Sequence, residues 1–478
     1  MGESIGQVEF SAEDEKEFQR RLREETKVLK NWFEERRFEF RDKPMLGLEV
    51  EAWLVDENYI PNPVNKEFLA VCDNPDVVEE LSKFNFELNT DPKVLQKYCF
   101  KEIHQQLAKT WDQCLGFASK VASKPMLIGI HPLLRDQILQ LEYMSEGERY
   151  RALNDQLMKM REGQPVKVDI QGFDHFAMTF DHIMLEAAAT SVQVHIQANQ
   201  EDFRRVFNAS MIAAIPCVAI AANSPFVYGH DLWDESRIPL FEQAIQVKSF
   251  RDKRGTDIGR VTFGTGYIRH SLLEIFLENL NGYPPLIPIL FEDSPESLHH
   301  LRFHNGTLWR WNRPIIGFDQ SGTPHLRVEQ RAMASGPSLE DIVANMAFSV
   351  GLTQYLATEE KAPEESMTFT DCRNNFYEAA RLGLNARVRW FGKEGALDQL
   401  ILSDLIPKAK QGLRAAGVDA AEIEFYLEQN IHQRVLSGQN GARWQRAFID
   451  RQGRDFQALT QTYLERQMSG TPVHKWTI

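Results

Sequence analysis

The segment 45–56 reads MLGLEVEAWLVD and carries two glutamates inside an apolar run. Residues two apart in a β-strand lie on the same face of the sheet, so Glu49 and Glu51 share one face while Leu48 and Val50 lie on the other. A buried carboxylate is unfavourable unless a cation or a hydrogen-bond donor is paired with it. The segment therefore predicts a strand whose second face either is solvated or carries positive charge.

Three further segments repeat this alternation: FNFELN at 84–89, SVQVHIQA at 191–198 and HLRVEQR at 325–331. Apolar side chains occupy one face of each, and the other face holds Glu, Asn, Gln, His, Ser or Arg but no lysine. A half-solvated antiparallel sheet produces the same alternation. On this pattern alone, a functional face and a solvated face are equally supported.

The chemistry is specific if the four polar faces converge. Mg²⁺ and Mn²⁺ prefer oxygen ligands, and four carboxylates would supply them: Glu49, Glu51, Glu87 and Glu329. His195 is a further ligand or a hydrogen-bond donor, and Arg327 and Arg331 offer forked donors for phosphate or carboxylate. Carboxylates, Mg²⁺ and arginines together are what phosphoryl transfer requires. The Walker A and GxGxxG patterns are absent, so a nucleotide would be held by a different fold.

Composition limits the partners. The chain of 478 residues has a net charge of -14 and a pI near 5.5, which argues against a nucleic-acid binder. Its five cysteines are widely spaced without a CxxC pair, so neither a zinc ribbon nor a disulfide framework is expected. The longest apolar run, 211–222, is shorter than a membrane span and contains a proline. The acidic N-terminus lacks a signal-peptide core. We expect a cytoplasmic protein without a membrane or nucleic-acid partner.

The order of the elements indicates an α+β fold. Residues 11–37 have the apolar spacing of a helix, and residues 125–131 are predicted to form a buried strand. The sequence from Ser338 onward is predicted to be largely helical, and its first helix begins with SLED, which has the pattern of an N-terminal capping box. A strand-rich part of the sequence followed by a helix-rich part favours an α+β fold over a regular βαβ alternation. The predicted units are an N-terminal helical segment (1–40), a catalytic domain (41–364) and a helical C-terminal region (365–478).

Several segments resemble, in order, elements of glutamate–cysteine ligase family 2 and its carboxylate–amine ligase relatives. They span about residues 45–345 and read GLEVEAWLVD, ELNTDP, GIHP, TSVQVHIQAN, ANSPFVYGHDLWDESR and HLRVEQRAMAS. The resemblance implies a glutamine-synthetase-like fold, in which a curled antiparallel sheet forms a funnel covered by helices. The polar face would line that funnel.

The resemblance also implies a reaction. ATP and Mg²⁺, with Mn²⁺ as an alternative, would phosphorylate a small-molecule carboxylate, expected to be the γ-carboxylate of glutamate. An amine or amino acid would then attack the acyl phosphate, giving an amide, ADP and phosphate. The C-terminal helices would cap the site or build a homo-oligomer.

Carried over residue by residue, the resemblance assigns three sets of site residues. The metal ligands are Glu49, Glu51, Glu87, His195 and Glu329. The catalytic arginines are Arg237, Arg327 and Arg331, and the late strand leaves open whether Arg327 or Arg331 is the family's arginine. The nucleotide or substrate is held by Asn89, Gln193 and Arg237. The alternatives are a guanidino-kinase-like phosphotransferase on the same fold and a catalytically silent nucleotide-binding relative.

Overall fold

The structure is a computed structural model that describes residues 5–247, 250–251 and 257–478. Its α-helices are α1 Ala12–Glu35, α2 Asn65–Val71, α3 Cys99–Lys120, α4 Glu148–Met160, α5 Phe203–Ile220, α6 Arg237–Ala244, α7 Leu273–Gly282, α8 His299–Gly306, α9 Leu339–Thr358, α10 Phe369–Leu382, α11 Leu397–Leu400, α12 Ile406–Ala416, α13 Ala420–Ile423, α14 Gln433–Ser437, α15 Gly441–Gln452 and α16 Phe456–Met468. Two π-helical stretches, Ile401–Leu405 and Glu424–His432, join α11 to α12 and α13 to α14.

The β-strands are β1 Met45–Val55, β2 Val77–Glu79, β3 Asn85–Asn89, β4 Lys93–Val94, β5 Lys124–Met126, β6 Val166–Gln171, β7 His175–Phe180, β8 Ser191–Ala198, β9 Phe226–Val227, β10 His230–Asp231, β11 Phe250–Arg251, β12 Asp257–Ile258, β13 Val261–Thr262, β14 Trp309–Arg310, β15 Asn312–Phe318, β16 Pro324–Ala334, β17 Arg387–Trp390 and β18 Lys393–Ala396.

The main sheet is antiparallel and curls into a half-barrel. Its strands follow the order β15-β16-β8-β1-β3-β2, and β4 and β5 also pair with β1, at opposite ends of that strand. The segment quoted first therefore forms the strand with the most neighbours in the sheet. Helices cover the sheet, so the predicted α+β fold with a curled antiparallel sheet is confirmed.

One face of the sheet is dry. Cross-strand pairs such as Leu48 with Val194 and Val50 with Leu88 are fully or almost fully buried. Helix α5 packs on β16, α9 on β8, and α3 on β3 and β5. Burial of these aliphatic side chains is the main driving force that holds the helices on the sheet.

The polar side chains form rows across the other face. Glu51 lies opposite Glu87, and Glu329 lies opposite His195. The register between β16 and β8 shifts between Gln330 and Met333, as at a β-bulge, which increases local twist and re-aims side chains. The four predicted polar faces do converge.

The predicted helix boundaries agree with the structure. Ser11 starts α1 with a capping box, in which its hydroxyl accepts from the Asp14 amide, and Ser338 caps α9 through the Asp341 amide. Among the described residues, α5 alone has the length and hydropathy of a membrane span. Of its residues, 89% are buried inside the protein, so its apolar character is explained by its place in the core.

The C-terminal helices pack against the helices that cover the main sheet. Helix α12 packs on α9 and α10 on α5. From α16, Gln467 accepts from the Leu127 amide and donates to the Leu127 carbonyl, which also accepts from the Tyr463 hydroxyl. These side-chain bonds satisfy the backbone of Leu127 in place of hydrogen bonds to a neighbouring strand. Only the start of the strand predicted at 125–131 therefore forms, as part of β5. The domain boundaries at 40 and 364 stay predictions.

Candidate active site

A cavity of about 560 Å³ lies on the polar face of the sheet. Helices α4 and α6, the 3-10 turn Met184–Ala188 and strand β14 enclose it. We call it the acidic cavity because, among the described residues, seven glutamates line it: Glu49, Glu51, Glu79, Glu80, Glu87, Glu148 and Glu186. One wall of the cavity is aromatic and consists of Phe241 from α6, Trp309 from β14 and Trp311, which directly follows β14.

The first candidate metal-binding set, the histidine group, consists of Glu49, His195 and Glu329. Their ligand atoms lie within 4.8 Å of one another. His195 Nε2 is 2.9 Å from Glu49 Oε1 and 3.8 Å from Glu329 Oε1. The imidazole thus lies between two carboxylates contributed by neighbouring strands, in an arrangement that could ligate a divalent cation.

The second set, the carboxylate group, consists of Glu51, Glu80 and Glu87, again with oxygens within 4.8 Å of one another. Strand β8 orients Glu51, because the amide of Ser191 donates to its Oε2 at 2.6 Å and Gln193 Nε2 donates to its Oε1 at 3.0 Å. An all-oxygen set of this kind suits Mg²⁺ or Mn²⁺.

The carboxylate group is electrostatically unfavourable without a cation. Burial and the charge of Glu80 raise the pKa of Glu51 to about 7. Burial, followed by repulsion from Glu49 and Glu80, raises the pKa of Glu87 well above its ordinary value. Burial also raises the pKa of Glu80 itself. Crowded carboxylates with raised pKa values are typical of functional sites, and a divalent ion would relieve their repulsion.

Two arginines accompany Glu329. Arg313 donates to it through two parallel bonds of 2.7 and 2.9 Å, and Arg331 Nη1 donates at 3.1 Å. Burial alone would raise the pKa of Glu329, but Arg313, Arg331 and His195 together hold it well below its usual range. Arg331 also donates to Gln193, so its positive charge lies between the histidine group and the carboxylate group.

The structure brings together most of the predicted site residues. All five predicted metal ligands belong to one of the two groups. Asn89 lines the acidic cavity and donates to Glu87 Oε1 at 3.0 Å, and Gln193 bridges Glu51 and Arg331. The roles assigned to these residues stay predictions.

Two of the predicted arginines differ in position. Arg237 lines the acidic cavity, but its guanidinium donates to Glu235 at 2.9 Å and to the Ala332 carbonyl at 2.9 Å. Arg327 lies opposite Gln197, two cross-strand pairs from the pair of Glu329 and His195, and is not among the residues that line the acidic cavity. Of the two late-strand arginines, Arg331 is therefore the one in the cavity.

Sequence reasoning missed Glu80, Glu186 and Arg313. Glu80 follows the three-residue edge strand β2, which is too short to show alternation. Glu186 lies in a 3-10 turn without periodicity; burial, with repulsion from Glu80, raises its pKa to about 8. The position of Arg313 could have been predicted from the sequence. If the DQSGT segment is taken as the turn of the β15–β16 hairpin, the antiparallel register places Arg313 opposite Glu329.

The family to which the chain belongs consists of ATP-dependent ligases that form carbon–nitrogen bonds, and the fold and the paired acidic groups are compatible with that class. Residues 45–468 match the family model described as glutamate-cysteine ligase family 2. The chain belongs to that family, and the guanidino-kinase-like and catalytically silent alternatives gain no support. A search of curated proteins found no match.

Three solved structures are similar to this chain over most of its length. Glutamate–cysteine ligase of Francisella tularensis in complex with AMP is 9% identical, with a TM-score of 0.51 over 92% of this chain and 96% of that one. A bifunctional glutathione synthetase of Pasteurella multocida is 12% identical, with a TM-score of 0.45 over 93% of this chain and 55% of that one. The Pup ligase PafA in complex with Pup is 12% identical, with a TM-score of 0.41 over 89% of this chain and 72% of that one. At such identities the first likeness shows the fold alone, and the other two are too low to add to it.

Proposed function

We propose that the protein joins the γ-carboxylate of glutamate, or of a glutamate-like acid, to an amine, using ATP and two or more Mg²⁺ ions, with Mn²⁺ as an alternative. The observation that carries this proposal is the pair of ligand groups that share strand β1. Glu49 belongs to the histidine group and Glu51 to the carboxylate group, so the two ion positions would be neighbours along one strand. Neighbouring divalent ions are a common arrangement for displacement at phosphorus.

The donor set fits the metals. The carboxylate group offers three oxygens within 4.8 Å of one another. Burial and then repulsion from neighbouring glutamates raise the pKa values of Glu51 and Glu87, and a cation would relieve that repulsion. When bound, the ions would neutralise phosphate oxygens and polarise the phosphoryl group. The sequence predicted two ligands of the carboxylate group, Glu51 and Glu87, and Glu80 would be the third.

The protein's own cations would stabilise the transferred charge. Arg331 lies between the two groups through Glu329 and Gln193, and Arg313 lines the same cavity. Their guanidinium groups are suited to phosphate and carboxylate oxygens. Arg327, on the polar face beyond His195, is suited to a more distant phosphate or to the nucleotide.

The proposed reaction has two steps. A carboxylate oxygen of the acid attacks the γ-phosphorus of ATP, the bond to ADP breaks, and an acyl phosphate forms. The nitrogen of the amine then attacks the acyl carbon, phosphate leaves, and one proton must be removed from nitrogen. In its ionised form, which dominates only above its raised pKa of about 8, Glu186 is suited to accept that proton, since its Oε2 is buried without a hydrogen-bond partner among the described residues and its carboxyl lines the cavity.

Product analysis tests the proposal. The purified protein is incubated with ATP, Mg²⁺, glutamate and a panel of amino acids and amines, and ADP, phosphate and amide are measured by mass spectrometry. We expect one amide and one phosphate per ADP, only when acid and amine are both present. A stable phosphorylated acid or amine without amide would identify a phosphotransferase and contradict the proposal.

A further inference from the structure

A second cavity, of about 1260 Å³, lies behind one wall of the acidic cavity. Helix α6 and strand β14 form this wall. Phe241 and Trp309 line the acidic cavity, whereas their sequence neighbours Glu242 and Arg310 line the second cavity. The two cavities are therefore separated by a wall about one residue thick.

The second cavity has a balanced set of charges. Among the described residues, four arginines and four glutamates line it: Arg204, Arg269, Arg310, Arg373, Glu242, Glu274, Glu278 and Glu364. The acidic cavity, by contrast, is dominated by clustered carboxylates. A balanced lining favours a ligand that carries both charges over a polyanion such as a triphosphate.

Two of these side chains are buried and have unused hydrogen-bonding atoms. The Arg310 side chain is 3% exposed and donates through Nη2 to Glu278 at 2.8 Å, while its Nη1 has no partner among the described residues. Glu364 accepts through Oε1 from Arg204 at 2.7 Å and from Asn208 at 2.9 Å, while its Oε2 has no partner there. Leaving buried polar groups unsatisfied costs free energy that a bound ligand can recover.

The remaining walls are open and partly apolar. A Cβ placed on Gly266 would meet no atom within 4 Å, so the segment 263–267, FGTGY, leaves free space beside its backbone. Rings of Phe263, Phe369 and Tyr377 add apolar surface. The volume exceeds the usual range of about 300–1000 Å³ for small-molecule sites, so it accommodates an amino acid or a short peptide.

We propose that the second cavity is a binding site for a zwitterion, namely an amino acid or a short peptide with free termini. Arg310 would hold the carboxylate by charge-assisted hydrogen bonds, and Glu364 and Glu242 would hold the ammonium. The aromatic rings would contact the side chain. This site is separate from the catalytic groups and is occupied without ATP, so it goes beyond the proposed function.

Glu242 connects the two cavities. Its Oε1 accepts from Trp311 Nε1 at 2.8 Å and from the Tyr377 hydroxyl at 2.7 Å. Trp311 lines the acidic cavity and Tyr377 lines the second. A zwitterion that recruits Glu242 weakens its bond to Trp311 and so shifts the aromatic wall of the acidic cavity. Occupancy of the second cavity therefore changes the KM of the ligase for its substrates.

Calorimetry without nucleotide tests the proposal. The probes are the twenty amino acids and a set of dipeptides, each compared with the matching amine that lacks the carboxylate and the matching acid that lacks the amine. We expect a zwitterion to bind at least about tenfold more tightly than either half, because each half lacks one of the two charge-assisted hydrogen-bonded contacts.

Variants assign the binding to the second cavity. Arg310→Gln removes the carboxylate partner, and Gly266→Leu fills open space without touching a charge; each should weaken zwitterion binding at least about tenfold. Glu80→Gln, in the acidic cavity, should leave that binding unchanged. Circular dichroism confirms that each variant is folded.

Three outcomes would overturn the proposal. They are the absence of zwitterion binding across the whole panel, binding that is unchanged in both Arg310→Gln and Gly266→Leu, and binding of adenosine alone with the same dependence on Arg310. The last would assign the cavity to the nucleotide.

Discussion

Glu80 is the residue that most changes the composition of the proposed metal site. Its oxygens lie within 4.8 Å of those of Glu51 and Glu87, and it completes a three-carboxylate set. Replacing such a ligand is costly, because the ion would lose one of its oxygen ligands while the remaining two carboxylates still repel each other.

We expect Glu80→Gln to weaken Mg²⁺ binding by at least about tenfold and to lower ligase activity by at least about 100-fold, since even outer partners of metal ligands are worth about 10–100-fold. Mg²⁺ titration by calorimetry and amide formation measure the two effects. Glu142→Gln, at an exposed position, is the matched control. Full activity in Glu80→Gln would remove this residue from the site.

Arg313 tests how much the buried ion pair of Glu329 stabilises the fold. Arg313→Met leaves a buried carboxylate with only Arg331 and His195 nearby, and we expect the free energy of unfolding to fall by about 3 kcal/mol. Replacing Glu329 by Met as well should recover most of this loss, because removing both charges avoids the uncompensated one. Urea denaturation measures both variants; a double variant no more stable than the single one would contradict the argument.

Glu242 provides a pH test that does not involve the proposed metal ligands. Burial, opposed by the bonds from Trp311 and Tyr377, raises its pKa to about 7 from 4.5. Between these values the unfolded chain has lost the proton that the folded chain keeps, so the contribution of Glu242 to stability falls as the pH rises and is fully lost above about pH 7.

Relative to Glu242→Gln, the wild type should therefore lose roughly 2 kcal/mol of stability between pH 5 and pH 8. Urea unfolding of both proteins at the two pH values measures this difference. A difference that does not change with pH would mean that the folded carboxyl titrates normally.

At the scale of the element, the strands on the polar face were predictable and the pieces between them were not. Alternation in β1, β3, β8 and β16 is long enough to read, and burial of the aliphatic face fixes which residues point into the cavity. The short strand β2 and the turn before β8 have no period, so Glu80 and Glu186 acquire their positions only through tertiary packing.

Helix α15 offers a test of packing between the C-terminal helices and the catalytic half. A Cβ on Gly441 would lie 2.0 Å from Asn223 Oδ1 and 2.9 Å from Pro337 Cγ. We expect Gly441→Ala to lower the free energy of unfolding by about 1–3 kcal/mol, as overpacking does. Gly116→Ala, in α3 with nothing within 4 Å, is the control and should be neutral or slightly stabilising. Thermal or urea unfolding separates the two outcomes.

At the scale of the whole molecule, the C-terminal helices belong to the same hydrophobic core as the sheet. Bonds from Gln467 and Tyr463 to Leu127 anchor the backbone next to β5, which pairs with β1. Sequence patterns alone could not reveal this, because such contacts join residues more than 300 positions apart. The helical region therefore supports strand β1 through β5.

The acidic cavity should reduce the stability of the metal-free protein. We expect Glu87→Gln to raise the free energy of unfolding at pH 8 without Mg²⁺, since it removes a buried charge that repels its neighbours, while it lowers ligase activity strongly. Thermal unfolding with and without Mg²⁺ measures this; Mg²⁺ should raise the midpoint of the wild type more than that of the variant. An equal rise in both would argue against Glu87 as a ligand.

Strand β1 supplies one ligand to each group, two residues apart. A slip of one residue in its pairing would turn both carboxylates toward the helices and bring Leu48 and Val50 into the cavity. Both proposed ion positions would then be lost together, so a chain folded in the wrong register would have no partial activity. In a refolding experiment, the fraction of catalytic sites recovered should equal the fraction of chains that regain the native sheet, so activity counts correctly folded molecules.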